Sequence, residues 1–192
     1  HRDPEAVKTV WPYLGHEDRF IRFAARVALE WQDPDQWCEK ALKETKAPVA
    51  LTALMALVRV SARDQFHRQT DDPLPNPALQ GRVLAALERM EWKKLTDAQQ
   101  VDLLRVYALT FTRLGQPDET SRTRLVAKFD PLFPAATREL NAELCQLLAY
   151  LQSPSLAAKA VTLVDRAPTQ EEQIEYMRSL RVLRVGWTPE LR

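Results

Sequence analysis

The stretch 14–31, LGHEDRFIRFAARVALEW, reads as a short corner followed by a helix. Ile21, Ala24, Ala25, Ala28 and Leu29 recur at i, i+3, i+4, i+7 and i+8, one stripe of a 3.6-residue period. Phe20, Phe23, Val27 and Trp31 widen that stripe to nearly three sides of the cylinder. The narrow face left over carries Arg19, Arg22, Arg26 and Glu30. A helix this apolar needs neighbours before it, behind it and on one flank, which is the position of an inner helix in a stacked array. Asp18 stands where it can cap the helix start and lies i, i+4 from Arg22, while the alanines allow close approach of neighbouring helices.

The same punctuation runs along the rest of the chain. Asp3-Pro4 opens a first helix expected to reach about Leu14 through Val7, Val10 and Trp11, with Pro12 disturbing its last turn. Asp33-Pro34 opens the next, burying Trp37, Cys38, Ala41 and Leu42. Ala47-Pro48 opens a strongly apolar helix to about Ser61. Residues 63–77, RDQFHRQTDDPLPNP, break the pattern and read as a loop insertion, with Phe66 and Leu74 pinning it to the body. Helices resume at Ala78–Met90, with Leu79, Val83, Leu84 and Leu87 inward, and from Thr96-Asp97 to Leu114, where Gly115 is the stop. A short helix starts at Asp118 or Ser121 and ends before Pro131. Leu140, Leu144, Leu147, Leu148 and Leu151 mark a second clear inner helix, Ser153-Pro154 starts an outer one, and Thr169 with Glu172 forms a capping box for the last, whose stripe is Ile174, Met177, Leu180 and Leu183. The expectation is an all-α chain of about ten helices in about five antiparallel pairs. It forms a single helical-repeat domain over residues 1–192, with a compact helical bundle as the alternative.

Composition supports this. Gly is scarce, with 4, and Pro plentiful, with 13, so prolines serve as helix starts and loop markers rather than strand breakers. The net charge of +1 offers no electrostatic reason to expect nucleic acid. No stretch reaches the roughly 18 apolar residues of a membrane span. Cys38 and Cys145 lie among apolar neighbours without CxxC or CxxCH spacing and read as buried thiols. His1, His16 and His67 share no metal-ligand spacing, no nucleophile elbow or phosphate loop is present, and Asp71-Asp72 lack the spaced oxygens of a calcium loop. No catalytic, cofactor or metal residue is therefore assigned. Trp11, Trp31 and Trp37 are expected in the core. The chain opens without Met, and Thr188-Pro189-Glu190 reads as the start of another helix, so an internal segment of a longer protein is expected.

Arginine placement rises above packing. Arg19, Arg22 and Arg26 line one face of the first inner helix, Arg59 and Arg63 end the second, Arg105 and Arg113 lie on another, and Arg178, Arg181 and Arg184 on the last. Arg19, Arg26, Arg59, Arg105, Arg178 and Arg181 are the candidate partner-binding residues, a discontinuous basic strip. The competing reading is local pairing with Asp18, Asp102 and Glu175.

The order Asp18, Arg22, Ala24-Ala25, Ala28-Leu29 resembles the second-helix signature of a HEAT repeat. That resemblance implies a right-handed α-α superhelix of the HEAT/armadillo solenoid kind, although the first two pairs are about 30 residues each against a usual ~40–47. It implies a non-catalytic protein-interaction or scaffold module, with a protein partner or neighbouring domains of the same chain. RFAARVALE and APTQEEQIEYMRSLRVLRVGWTPE also resemble helical-repeat regions of large secreted bacterial proteins that carry a c-type haem domain, which implies a periplasmic or secreted location and a structural role between redox domains. The enzyme alternative is a helical-repeat DNA glycosylase, which would need a basic, aromatic groove with a facing Asp.

Overall fold

The computed structural model describes residues 3–64, 66–72 and 74–191, and every regular element among them is helical. The chain divides into two compact units, His1–Gln116 and Pro117–Arg192.

The first unit holds α1 Pro4–Val10, α2 Arg19–Glu30, α3 Cys38–Lys43, α4 Ala47–Ser61, α5 Pro77–Glu88 and α6 Asp97–Leu114. Four of these starts, those of α1, α2, α5 and α6, carry a side-chain cap. Asp3 accepts from the Glu5 N–H at 3.0 Å, Asp18 from the Phe20 N–H at 2.7 Å and Asn76 from the Ala78 N–H at 3.0 Å. Thr96 and Gln99 form a full capping box. α1 stops at Val10, short of the expected Leu14, because the chain tightens into a 3-10 turn over Trp11–Gly15 with Pro12 in its first turn.

Helix neighbours alternate. α4 packs against α2 on one side and α6 on another, while α3 packs against both α4 and α5. The centre of the unit is α4, not α2. From Ala47 to Val58 it carries no charged residue, and Val49, Ala50, Leu51, Ala53, Leu54, Ala56, Leu57 and Val58 are all buried. α2 buries only Ala25 and Leu29. Ile21, expected inside, is 38% exposed, and Trp31, expected in the core, is 69% exposed. Trp11 and Trp37 are buried as expected. In the 62–76 loop, Phe66 and Leu74 are exposed at 82% and 80% and pin nothing. Its fixed points are polar: the Arg113 guanidinium donates to the Ala62 carbonyl at 3.0 Å, and Arg63 pairs with Asp72 at 3.5 Å.

Gly81 sits inside α5 on its exposed side, where an added Cβ would meet nothing within 4 Å. Gly81→Ala is expected to stabilise the first unit by about 0.5–1 kcal/mol by lowering the entropy of the unfolded chain. The reading is a higher urea midpoint at unchanged slope.

The second unit holds α7 Glu119–Phe129, α8 Arg138–Tyr150, α9 Leu156–Arg166 and α10 Gln170–Leu180. α8 packs against α7, α9 and α10, and α10 also packs against α9. Leu140, Leu144, Leu147, Leu148 and Leu151 are buried, as the leucine spacing predicts. α10 differs from expectation. It buries Tyr176 and Leu180 and leaves Ile174 and Met177 exposed at 63% and 57%. Glu172 does not complete a capping box; it accepts the Tyr176 hydroxyl at 2.8 Å instead. Burial, and then that carboxylate, push the phenol of Tyr176 well up.

Ser153, expected as a helix start, has another use. Its hydroxyl donates to Asp130 Oδ1 at 2.6 Å, Ser155 donates to the same oxygen, and Lys159 reaches the Asp130 carboxylate at 2.8 Å and its carbonyl at 2.7 Å. α9 therefore begins later, at Leu156. A second polar clamp follows α8. Gln152 adopts a left-handed φ of 58°, and its side-chain amide donates to the carbonyls of Ala149 and Val182, each at 2.8 Å. Its side-chain oxygen accepts from the Arg184 N–H at 2.8 Å. One amide thus holds both ends of the 182–184 segment.

Candidate interaction surface

The candidate arginines divide between the two units. In the first, Arg26 and Arg59 converge on one carboxylate: Arg26 pairs with Glu30 along α2, and Arg59 Nε reaches the same oxygen at 2.8 Å from α4. The Arg26 and Glu30 side chains are only 12% and 14% exposed, so this contact ties α2 to α4 rather than offering a free cation. Arg22 does not pair with Asp18. It donates to the backbone carbonyls of His16 at 2.7 Å and Glu17 at 2.9 Å, stapling the corner, while Asp18 caps the helix. Arg105 and Arg22 both act on Asp102 of α6. Burial pushes that carboxyl up, and the two guanidiniums oppose the shift without cancelling it. Arg19 is exposed, with its guanidinium 4.8 Å from the Phe20 ring centroid.

In the second unit, Arg138 pairs with Glu175 at 3.3 Å. Arg178 and Arg181 are exposed and make no ion pair among the described residues.

Beside these cations lies an apolar face. Phe20, Phe23, Ala24, Val27 and Trp31 fall at i, i+3, i+4, i+7 and i+11, and so lie along one side of α2. Phe20, Phe23 and Trp31 are 69%, 58% and 69% exposed. The stripe runs about 16 Å at 1.5 Å per residue. It is turned away from Ala25 and Leu29, which face the rest of the unit. Arg26 stacks 5.1 Å from the Phe23 centroid, so the aromatic rings are flanked by guanidiniums at two points.

No family model matches this chain, and neither does any curated protein or any solved structure. What the face can do follows from its own chemistry. Large exposed aromatic groups in a row, rimmed by arginines, make an apolar surface with a cationic edge. Among the described residues no group of three or more His, Cys, Asp or Glu could hold a metal ion, and no helix is long and apolar enough to cross a membrane. The two cysteines are free. Burial pushes the Cys145 thiol up to about 12, which makes it a poor nucleophile at neutral pH. Cys38 is raised for the same first reason, against the pull of Arg82.

The aromatic stripe stood in the sequence but read as core, because apolar residues surround most of α2. The usable signal was comparative: α2 carries Arg19, Arg22, Arg26 and Glu30, whereas α4 carries no charge before Arg59. The uncharged helix takes the doubly covered place.

Proposed function

We propose that this chain is a non-catalytic protein-interaction module and that the outer face of α2 receives one amphipathic helix, from a protein partner or from a neighbouring domain of the same polypeptide. The observation that carries this reading is the exposed Phe20–Phe23–Trp31 stripe on a helix whose opposite side packs against α4. A helix laid on that stripe would extend the succession α2, α4, α6 that these contacts suggest. Within the first unit the alternating neighbours, α2 with α4 with α6 and α3 with α5, support the HEAT-like, right-handed superhelical plan that Asp18, Arg22 and the alanines suggest. Arg19 at the rim favours an acidic flank on the incoming helix. The DNA glycosylase alternative fits less well, because Arg26 and Arg59 are committed to Glu30 and the net charge is +1.

The test has two arms. Phe20→Ser with Phe23→Ser should change stability by no more than about 0.5 kcal/mol, as for surface positions. A photo-crosslinking phenylalanine at Phe23 in the full-length gene product should capture a peptide that maps to an amphipathic helix with Asp or Glu beside its apolar stripe. The same group at the exposed Lys93 should not, and Arg19→Glu should cut the yield several-fold. Equal yields at both positions, or crosslinks to nucleic acid, would reject the proposal. So would a large loss of stability in the double variant, because the stripe would then be core.

A further inference from the structure

The second unit contains a cavity that the interaction reading does not use. It is a groove open to solvent, of about 720 Å3, between α9, α10 and the segment that follows α10. Val161, Val164, Met177, Leu180, Leu183 and Trp187 supply its apolar wall. The volume falls inside the range of about 300–1,000 Å3 that small-molecule sites occupy.

Three features show that the wall is built rather than incidental. The Gln152 amide holds the 182–184 segment from both sides. Gly186 lies against the Pro154 carbonyl, closely enough that a Cβ there would sit 2.1 Å from the oxygen. The Trp187 indole donates its N–H to the Leu183 carbonyl at 3.0 Å, so the ring's polar edge is already satisfied. It offers the cavity only an apolar surface.

The polar chemistry of the cavity is one-signed. Arg181 and Arg184 line it, and no Asp or Glu does. Neither arginine makes an ion pair among the described residues, in contrast to Arg26, Arg59, Arg82, Arg122 and Arg138, which all do. An open apolar groove edged by two guanidiniums that make no ion pair among the described residues matches a molecule with a long hydrocarbon body and an anionic head. A carboxylate head suits the planar fork of arginine, which can bind both oxygens at once. A nucleotide fits poorly, since apart from Arg181 and Arg184 the lining side chains offer only apolar surface to a base or a sugar.

We propose that this cavity binds a single long-chain monocarboxylate of the fatty-acid type, with its chain against Leu180, Val164 and Trp187 and its head group at Arg181 and Arg184. The reading is independent of the α2 face, which lies in the other unit.

Trp187 is the only tryptophan between residues 117 and 192 and serves as the reporter, with a Trp187→Phe variant giving the background from the other tryptophans. Oleate added to the full chain below its micelle concentration should change the Trp187 emission saturably, at one molecule per chain. The uncharged alcohol of the same chain length should bind at least tenfold more weakly, and butyrate should not bind in the same range. Arg181→Ala with Arg184→Ala should weaken oleate at least tenfold while leaving binding of the alcohol unchanged; both side chains are exposed, so the fold should survive. Equal affinity for oleate and the alcohol would overturn the proposal, as would full oleate affinity in the double variant. Association only with phosphatidylcholine vesicles containing oleate, and not with free oleate, would also overturn it and mark a membrane-facing patch instead.

Discussion

Gly186→Ala is expected to unseat the segment after α10 and to destabilise the second unit by about 3 kcal/mol or more. Two costs coincide at this position. The backbone holds φ at 75°, a region that L side chains rarely enter. The new methyl would also overlap the Pro154 carbonyl, with a Cβ–oxygen separation of 2.1 Å. A carbonyl cannot swing aside as a side-chain tip can, so the segment itself must move. That motion pulls against the Gln152 clamp on Val182 and Arg184 and withdraws Trp187 and Leu183 from the cavity wall. Urea unfolding followed by Trp187 emission checks this: the midpoint should fall and the native-state emission should shift toward that of an exposed indole. An unchanged midpoint and spectrum would mean that the close approach to Pro154 is absent in solution.

Asp130→Ala carries the second large effect, a loss of about 2–4 kcal/mol. The substitution leaves the Lys159 ammonium, the Ser155 hydroxyl and the fully buried Ser153 hydroxyl without their shared acceptor. Burial by itself would raise this carboxyl, but the Lys159 ammonium and the two serine hydroxyls outweigh it and hold the group below its ordinary 3.8. The sign of the pH dependence follows. The unfolded chain binds the proton more readily, so the contribution of Asp130 is complete above 3.8 and is lost as pH falls through the lower folded value. Asp102 runs the other way. Its carboxyl is raised in the folded chain, chiefly by burial, so it destabilises the fold at neutral pH and that penalty is relieved on acidification. Unfolding midpoints read by Trp187 between neutral and acid pH should therefore decline for the parent chain and decline less for the Asp130→Ala variant. Parallel declines would separate Asp130 from the acid sensitivity of the unit.

Local chemistry in the sequence accounts for seven of the ten α-helix starts among the described residues. Asp3, Asp18, Asn76, Thr96, Asp118, Thr137 and Thr169 each accept a hydrogen bond from a backbone N–H two or three residues on, and each stands where a 3.6-residue apolar period begins. Such contacts span a few residues and need no partner from elsewhere, so they are legible in one dimension. The leucine stripe of α8 was legible too, because only one of its faces is apolar enough to be buried.

Tertiary packing decided the rest. α2 has apolar residues on nearly three sides, so periodicity alone cannot say whether Ala25 and Leu29 or Phe20, Phe23 and Trp31 turn inward; the choice belongs to α4, whose uncharged surface claims the first set. The same holds for α10, where burial of Tyr176 rotated Ile174 and Met177 outward. Ser153 looked like a cap and became a ligand of Asp130, 23 residues earlier. Gln152 gave no signal at all, because its partners at Val182 and Arg184 lie about a helix pair away. The cavity between α9, α10 and Trp187 is the extreme case: it is a space left by three packed segments, and a space has no residue of its own to be read in a sequence.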